Sequence, residues 1–366
     1  MNIILHGATD FGSSNYGDFL YGKIIYDYLV NQEGLFPNNI FFYNPSLFFE
    51  KYIDDSRTVK LKGRITDSDL GIYIPGGYFG EGHNPSWKDN ILQIIRFIPF
   101  GIKCILLKIP YAVIGVGAGP NDSYLLSKFI KIITRHSEVI TVRDKESLLS
   151  LRSLGCDNSI ICCFDPIIAV DLYAYDAPLS INNSCFTIIE KLNKQSKKGL
   201  LVHFNHSIEA ARKFGEAVRI FLDENSEFYP VVTFDQYLEG KEEIISSFEN
   251  AFGSDSYLLY DYDNPYEFGS LISAMGFVLT SKLHVGVTAV VKNKPTLAVA
   301  VHPEKTSRFY NNINAPYLYC DIDLVDGKTI ASKMSLAIDK KIVIPKEIVK
   351  NAINNFFELE RFIESH

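Results

Sequence analysis

An α/β protein built as two Rossmann-like domains facing a cleft is what the sequence predicts, and three observations predict it. Short apolar runs alternate with amphipathic helical stretches through both halves of the chain, the pattern of βαβ units in a parallel sheet. At 366 residues with 47% hydrophobic content, the chain can bury two cores of ordinary size. A polar stretch rich in Ser, Asn and Lys, DAPLSINNSCFTIIEKLNKQSKKG, interrupts the rhythm near the middle. The expected domains are residues 1–178 and 196–344, with a C-terminal helix over 345–366 placed to cross back to the first domain.

In the first half, strands are expected at Ile3–Leu5, Gly71–Ile74, Tyr111–Val116, Val139–Arg143 and Ile160–Cys163. The turn SNYGD after the first strand opens a helix whose apolar face carries Leu20, Ile24, Tyr28 and Leu29. RDKESLLSLRSLG reads as a helix with Asp144 as N-cap and Gly155 just past its end. In the second half the order is strand Leu200–Phe204, helix Ile208–Leu222, strands Tyr229–Phe234 and Tyr257–Tyr260, helix Tyr266–Met275, strand Phe277–Thr280, helix Val285–Lys292 and strand Thr296–Val301. The last helix follows Pro345 and carries a stripe of Ile348, Ala352, Ile353, Phe356, Phe357 and Leu359.

Net charge is −7 with no basic run, which argues against a nucleic-acid partner and leaves any anionic substrate to a few local cations. The six cysteines form no C-x-x-C pair and have no histidine at metal-ligand spacing, so no disulfide framework, zinc site or other metal centre is expected, and a reducing cytoplasm fits. No secretory signal is read at the N-terminus. The most lipid-like segment, Phe97–Gly117, is broken by Pro99, Lys103, Lys108 and Pro110, and reads as a helix followed by a buried strand, with peripheral contact at the inner face of a membrane left open.

Several stretches carry chemistry-bearing residues at expected strand ends. GVGAGP (115–120) lacks the third glycine of a dinucleotide fingerprint and follows an internal strand, so Gly117 is either a packing residue or part of a loop near a ligand. PGGYFGEG puts Gly76 and Gly77 after a strand, where they form a tight turn or let a ligand approach the backbone. Arg143 ends a strand; its planar fork suits a carboxylate or phosphate, and Asp144 beside it suits an ion pair. In VLTSKLHVGVTAVVKNKP a strand runs into a helix through Ser281, Lys282 and His284, joining a cation, a proton donor and a helix N-terminus that favours an anion. HPEK adds His302 and Lys305 after the next strand, with Arg308 a turn later.

Together these stretches resemble the polysaccharide pyruvyl transferase family. The matching pieces are NYGD (Asn15, Gly17, Asp18), GGY, GVGAGP, TVRDKESLLSLRSLG, Asp165-Pro166 and Ser281-x-Leu283-His284 followed by a proline and a lysine, in order from about residue 3 to 310. Two positions depart from the family pattern: Tyr78 stands where a third glycine is usual, and Lys282 where an arginine is usual. The resemblance implies a fold similar to the GT-B glycosyltransferases, phosphoenolpyruvate as donor, no cofactor, and a saccharide or lipid-linked saccharide as acceptor, converted to a pyruvate ketal during exopolysaccharide or capsule synthesis. On that reading His284 is expected as general acid, Arg143, Lys282 and Lys305 as anion ligands, and Asn15, Gly17, Gly76, Gly77, Gly117 and Ser281 around the substrates. Asp18 is expected either to orient or deprotonate the acceptor or to cap the first helix. Two alternatives are a GT-B enzyme using a nucleotide sugar and a catalytically silent glycan-binding protein.

Overall fold

In the computed structural model, which describes residues 1–10, 14–53, 62–83, 85–156, 159–180, 183–236, 238–253, 256–340 and 342–366, the chain divides into two units. One comprises residues 1–170 with 346–366, the other residues 171–345.

The first unit runs β1 (Ile3–His6), α1 (Tyr16–Val30), β2 (Ile40–Phe42), α2 (Leu47–Ile53), β3 (Leu70–Tyr73), β4 (Gly76–Phe79), α3 (Trp87–Leu107), β5 (Tyr111–Ala118), α4 (Tyr124–His136), β6 (Val139–Val142), α5 (Lys145–Ser153) and β7 (Ile160–Cys162). Its sheet is parallel in the order β2-β1-β3-β5-β6-β7. Every residue of β1, β3 and β5 is buried, as expected of strands covered by helices on both faces. β4 resumes pairing with β5 beyond Pro75, at Gly76↔Val116 and Phe79↔Ala118. Helix starts follow local chemistry: Asn15 caps α1, Ser86 and Asp89 form a capping box on α3, and Asp144 caps α5. Pro99 lies inside α3. There the Tyr73 hydroxyl inserts into the helix ladder, donating to the Phe97 carbonyl at 2.7 Å and accepting from the Gly101 amide at 2.8 Å, which ties α3 to β3.

The C-terminal helix, α13 (Lys346–Glu364), belongs to this first unit. It is held by Asn355, fully buried, which accepts from the Thr141 hydroxyl at 2.6 Å and donates to the Phe164 carbonyl at 2.9 Å. The expected apolar stripe is corrected at one position: Phe357 is exposed, while Phe362 joins Ala352, Phe356 and Leu359 in the interior.

The second unit runs α6 (Ser184–Lys194), β8 (Lys198–Phe204), α7 (Ile208–Glu224), β9 (Phe228–Phe234), α8 (Lys241–Phe252), β10 (Leu258–Tyr260), α9 (Pro265–Ala274), β11 (Phe277–Thr280), α10 (Leu283–Val291), β12 (Thr296–Ala300), α11 (Pro303–Asn312), β13 (Tyr319–Asp321) and α12 (Gly327–Ala337). Its sheet is again parallel, in the order β10-β9-β8-β11-β12-β13. From β8 the chain winds outward to β9 and β10; from β11 it winds the other way to β12 and β13. The β8/β11 boundary is therefore the topological switch point, where open α/β sheets bind ligands beyond their carboxyl ends. The polar stretch expected to separate domains instead forms α6, which buries Cys185, Ile188 and Leu192 within the second unit.

Candidate functional site

In the second unit the switch point assembles a charged network from three strand ends, those of β8, β9 and β11. Asp235, just past β9, accepts from Lys282 Nζ at 2.9 Å and from Asn205 Nδ2 at 2.7 Å, and its other oxygen lies 3.2 Å from His203 Nε2. His203 is buried near the end of β8, with its Nδ1 3.3 Å from the Thr280 hydroxyl of β11. Ser281 Oγ accepts from the Asn205 amide at 2.9 Å, so this hydroxyl joins the ends of β8 and β11. Burial alone would raise the Asp235 carboxyl, but the Lys282 ammonium and the His203 contact outweigh it and hold the group well below the usual carboxylate range.

Lys282 is the N-cap residue of α10 and His302 that of α11, and neither helix start has a side-chain cap. The first-turn amides of α10 thus point outward from the strand ends with half-buried His284 among them, and half-buried Lys305 stands in the first turn of α11. β11 and β12 are paired neighbours, which sets these two helix starts side by side. The expected trio Ser281, Lys282 and His284 is therefore gathered on one turn, with Lys305 on the adjacent one. The sequence reading missed His203, Asn205 and Asp235. The available signal was an Asp closing the strand FYPVVTFD, the same pattern that drew attention to TVRD.

The first unit places its candidates differently. Asn15 Oδ1 accepts from the Gly17 amide at 2.9 Å and the Asp18 amide at 3.4 Å, so Asn15 is the α1 cap and the capping alternative for Asp18 is corrected. Asp18 is half-buried in the first turn, and its charge helps raise the Tyr78 hydroxyl, an effect second to that hydroxyl's own burial. Arg143 is 7% exposed. Its guanidinium lies 3.5 Å from the Tyr21 hydroxyl and 3.7 Å from Asp144, and Tyr21 donates to buried Asp165 at 2.7 Å. Burial opposes the charge on Arg143, but Tyr21, Asp144 and Asp165 together raise its affinity for the proton. Any external anion at Arg143 competes with these internal partners.

Gly117 takes its packing alternative, while the tight turn expected at Gly76 and Gly77 is corrected. A Cβ on Gly117 would lie 2.6 Å from Arg143 Nε, so Gly117 makes room for the guanidinium. Gly76 and Gly77 are strand residues of β4 and have no left-handed backbone. A Cβ on Gly76 would meet the Tyr78 ring at 2.4 Å. Tyr78 itself is buried, stacked on Phe97 with ring centroids 4.5 Å apart, and its hydroxyl donates to the Ile74 carbonyl. It fills the interior beside β4.

Among the described residues, no cluster of three or more His, Cys, Asp or Glu is placed to hold a metal ion. A groove of about 750 Å³ between α7 and α8, lined in part by Arg212, Glu216, Arg219 and Glu243, contains none of these strand-end residues.

The fold is similar to that of several solved sugar-nucleotide proteins. A Listeria monocytogenes protein described as a putative UDP-N-acetylglucosamine 2-epimerase superposes with a TM-score of 0.67 at 11% identity, covering 100% of this chain and 97% of that one. The S. aureus MnaA–UDP co-structure gives 0.65 at 14% identity, covering 99% and 95%. The Neisseria meningitidis UDP-GlcNAc 2-epimerase bound to UDP-GlcNAc gives 0.62 at 13%, covering both chains fully. At such identities the likeness establishes the fold, two parallel-sheet Rossmann-like units of GT-B type. No curated protein sequence matches. The family model for polysaccharide pyruvyl transferases does match, over residues 15–303, a span that takes in α1, the Arg143 strand end and the Lys282–His284 turn. By that match, the chain belongs to the polysaccharide pyruvyl transferase family.

Proposed function

We propose that this protein transfers pyruvate from phosphoenolpyruvate to two hydroxyls of a saccharide acceptor, free or lipid-linked, forming a pyruvate ketal and releasing phosphate without a cofactor. One observation carries the reading: two helix starts without side-chain caps lie side by side at the switch point, bearing Lys282, His284 and Lys305 in or next to their first turns. A carboxylate and a phosphate on one small donor match such a cluster in a chain that is acidic as a whole.

In this mechanism Lys282, Lys305 and the α10 amides hold the donor's two anionic groups. His284 gives its proton to the donor methylene carbon, which becomes a methyl group as positive charge develops at the enol carbon. A sugar hydroxyl attacks that carbon; the C–O bond to phosphate then breaks, and phosphate leaves with its bridging oxygen. The second hydroxyl closes the ketal. Of the two hydroxyl protons released, one restores His284 and the other leaves with phosphate. Asp18 is the carboxylate proposed to orient or deprotonate the acceptor, with Asn15 and Gly17 shaping its turn. Arg143 is proposed as an anion ligand that must exchange part of its contact with Tyr21 and Asp144.

His284→Gln and His284→Ala test the acid role by phosphate release from phosphoenolpyruvate with acceptor present. A loss of about a hundredfold or more is expected, and near wild-type turnover refutes it. A nucleotide-sugar donor is the second reading, favoured by neighbours solved with UDP or UDP-GlcNAc. Calorimetry with phosphoenolpyruvate against UDP, GDP and CMP sugars separates the two, and any acceptor-dependent phosphate release excludes a silent glycan-binding protein.

A further inference from the structure

Surface helices ordinarily turn a polar face outward, and α3 does not. Positions 91, 92, 95, 99, 102 and 106 fall on one side of it at 100° per residue, and all are apolar. Ile95 is 58% exposed and Leu106 75%, with Ile91 and Leu92 also exposed. The opposite side, Phe97, Phe100, Gly101 and Cys104, is buried in the first unit. By length and composition α3 could cross a membrane, yet one side of it is buried in the protein and its backbone is tied to β3 through Tyr73. It is a helix seated on its sheet with an apolar outer face.

Charge selects what covers that face. Residues 87–138, spanning α3 and the α4 that packs on it, carry seven Lys and Arg against three Asp and Glu, a net of +4 within a chain of −7, so the rest of the chain carries −11. Lys88, Lys103 and Lys108 stand exposed near the two ends of the apolar stripe. Trp87, the chain's one tryptophan, is 72% exposed at the helix start, and Tyr124 is exposed at the start of α4. An apolar stripe flanked by lysines and an exposed indole is the chemistry of a helix lying in the interface of a negatively charged bilayer. We propose that the outer face of α3, with the first turn of α4, docks on an anionic lipid bilayer. The helix lies in the bilayer plane: Ile91, Leu92, Ile95 and Leu106 enter the acyl boundary, and the lysines meet lipid phosphates. This inference is independent of the donor chemistry proposed above.

Trp87 supplies the assay. The full-length protein is mixed with vesicles of phosphatidylcholine alone or with about 30 mol% phosphatidylglycerol, and Trp87 emission and co-sedimentation are followed at low and high salt. A blue shift and sedimentation with the anionic vesicles, weakened by salt, are expected. Leu92→Glu/Ile95→Glu should weaken vesicle affinity at least tenfold, and Lys88→Glu/Lys103→Glu should remove most of the preference for anionic lipid. Both variants alter exposed positions, so thermal unfolding and phosphate release with a soluble acceptor should stay at wild-type values. The proposal is overturned by absence of binding to either vesicle at low salt, or by binding that both variants leave intact. It is equally overturned if sedimentation equilibrium shows a dimer that Leu92→Glu/Ile95→Glu dissociates while vesicles are ignored, since the face would then belong to a second copy.

Discussion

Replacing Asp235 by Asn tests whether the switch-point network is held by charge. The substitution keeps shape and the capacity to bond Asn205, but removes the carboxylate from Lys282 at 2.9 Å and from His203 at 3.2 Å. A hydrogen bond to a charged group contributes roughly 1.5–3 kcal/mol, and the Lys282 contact is discounted because that side chain is 28% exposed, giving about 2–3 kcal/mol in all. For a unit of this size that corresponds to a fall in Tm of about 5–10 °C by calorimetry at neutral pH. The pH dependence gives the sharper criterion. The folded-state pKa of Asp235 is depressed, so its contribution is fully present above the unfolded value of about 3.9 and is lost as pH falls below that toward the folded value. Wild type and Asp235→Asn should therefore converge as the pH is lowered below about 4. A difference under about 1 °C at neutral pH, or one that persists unchanged into acid, refutes the argument.

Lys282→Arg restores the family's usual fork; Asp235 can accept from a guanidinium, so KM for phosphoenolpyruvate should fall about two- to tenfold with little change in kcat, and a rise above tenfold would mean the turn is shaped for an ammonium. Tyr21→Phe removes the hydroxyl between Arg143 and Asp165, leaving buried Asp165 with the Ile167 amide; urea unfolding should register a loss of about 1–3 kcal/mol. Asn355→Ala removes the acceptor of the Thr141 hydroxyl proton, whose oxygen keeps the Gly115 amide, and the donor to the Phe164 carbonyl beneath α13, costing about 1–3 kcal/mol by urea unfolding and exposing α13 to limited proteolysis.

The fold was legible where burial is continuous. β1, β5 and β8 are buried at nearly every position, and Asp144 caps α5 as its place before a helical run implies. What escaped was short or compositionally ambiguous. β2 and β13 have three residues each, too few for any periodicity, and β4 begins with two glycines that read as a turn until its pairing with β5 is seen. α6 was misread because its Ser, Asn and Lys content resembles a linker. Yet Cys185, Ile188 and Leu192 lie at helical spacing, and those three are the ones it buries. Composition outvoted periodicity there, and periodicity was the better guide.

The site was legible in a different way, because a motif marks a position without stating its task. Of the pieces that identified the family, several are occupied within the first unit. Asp144 caps α5 through the Ser147 amide, Ser147 Oγ accepts from the Ala118 amide, Asp165 takes the Tyr21 hydroxyl, and Gly117 yields space to Arg143. These residues fix a buried cation among carboxylates, which needs each partner in place because an unmatched charge at that depth is costly. Chemistry toward a ligand suits a different arrangement, helix starts without side-chain caps at strand ends, and that arrangement occurs at α10 and α11. Asp235 could be read as an acid closing a strand, but not as the partner of Lys282. One carboxylate at a strand end has no sequence context linking it to Lys282, 47 positions later, and only the order β9-β8-β11 brings the two together. The lysine standing in for arginine therefore has to be weighed with that carboxylate: a compact ammonium divides its three protons between Asp235 and any donor anion, whereas a guanidinium can take the same Asp235 oxygen through one arm and keep further donors for that anion, which is why Lys282→Arg is expected to lower KM.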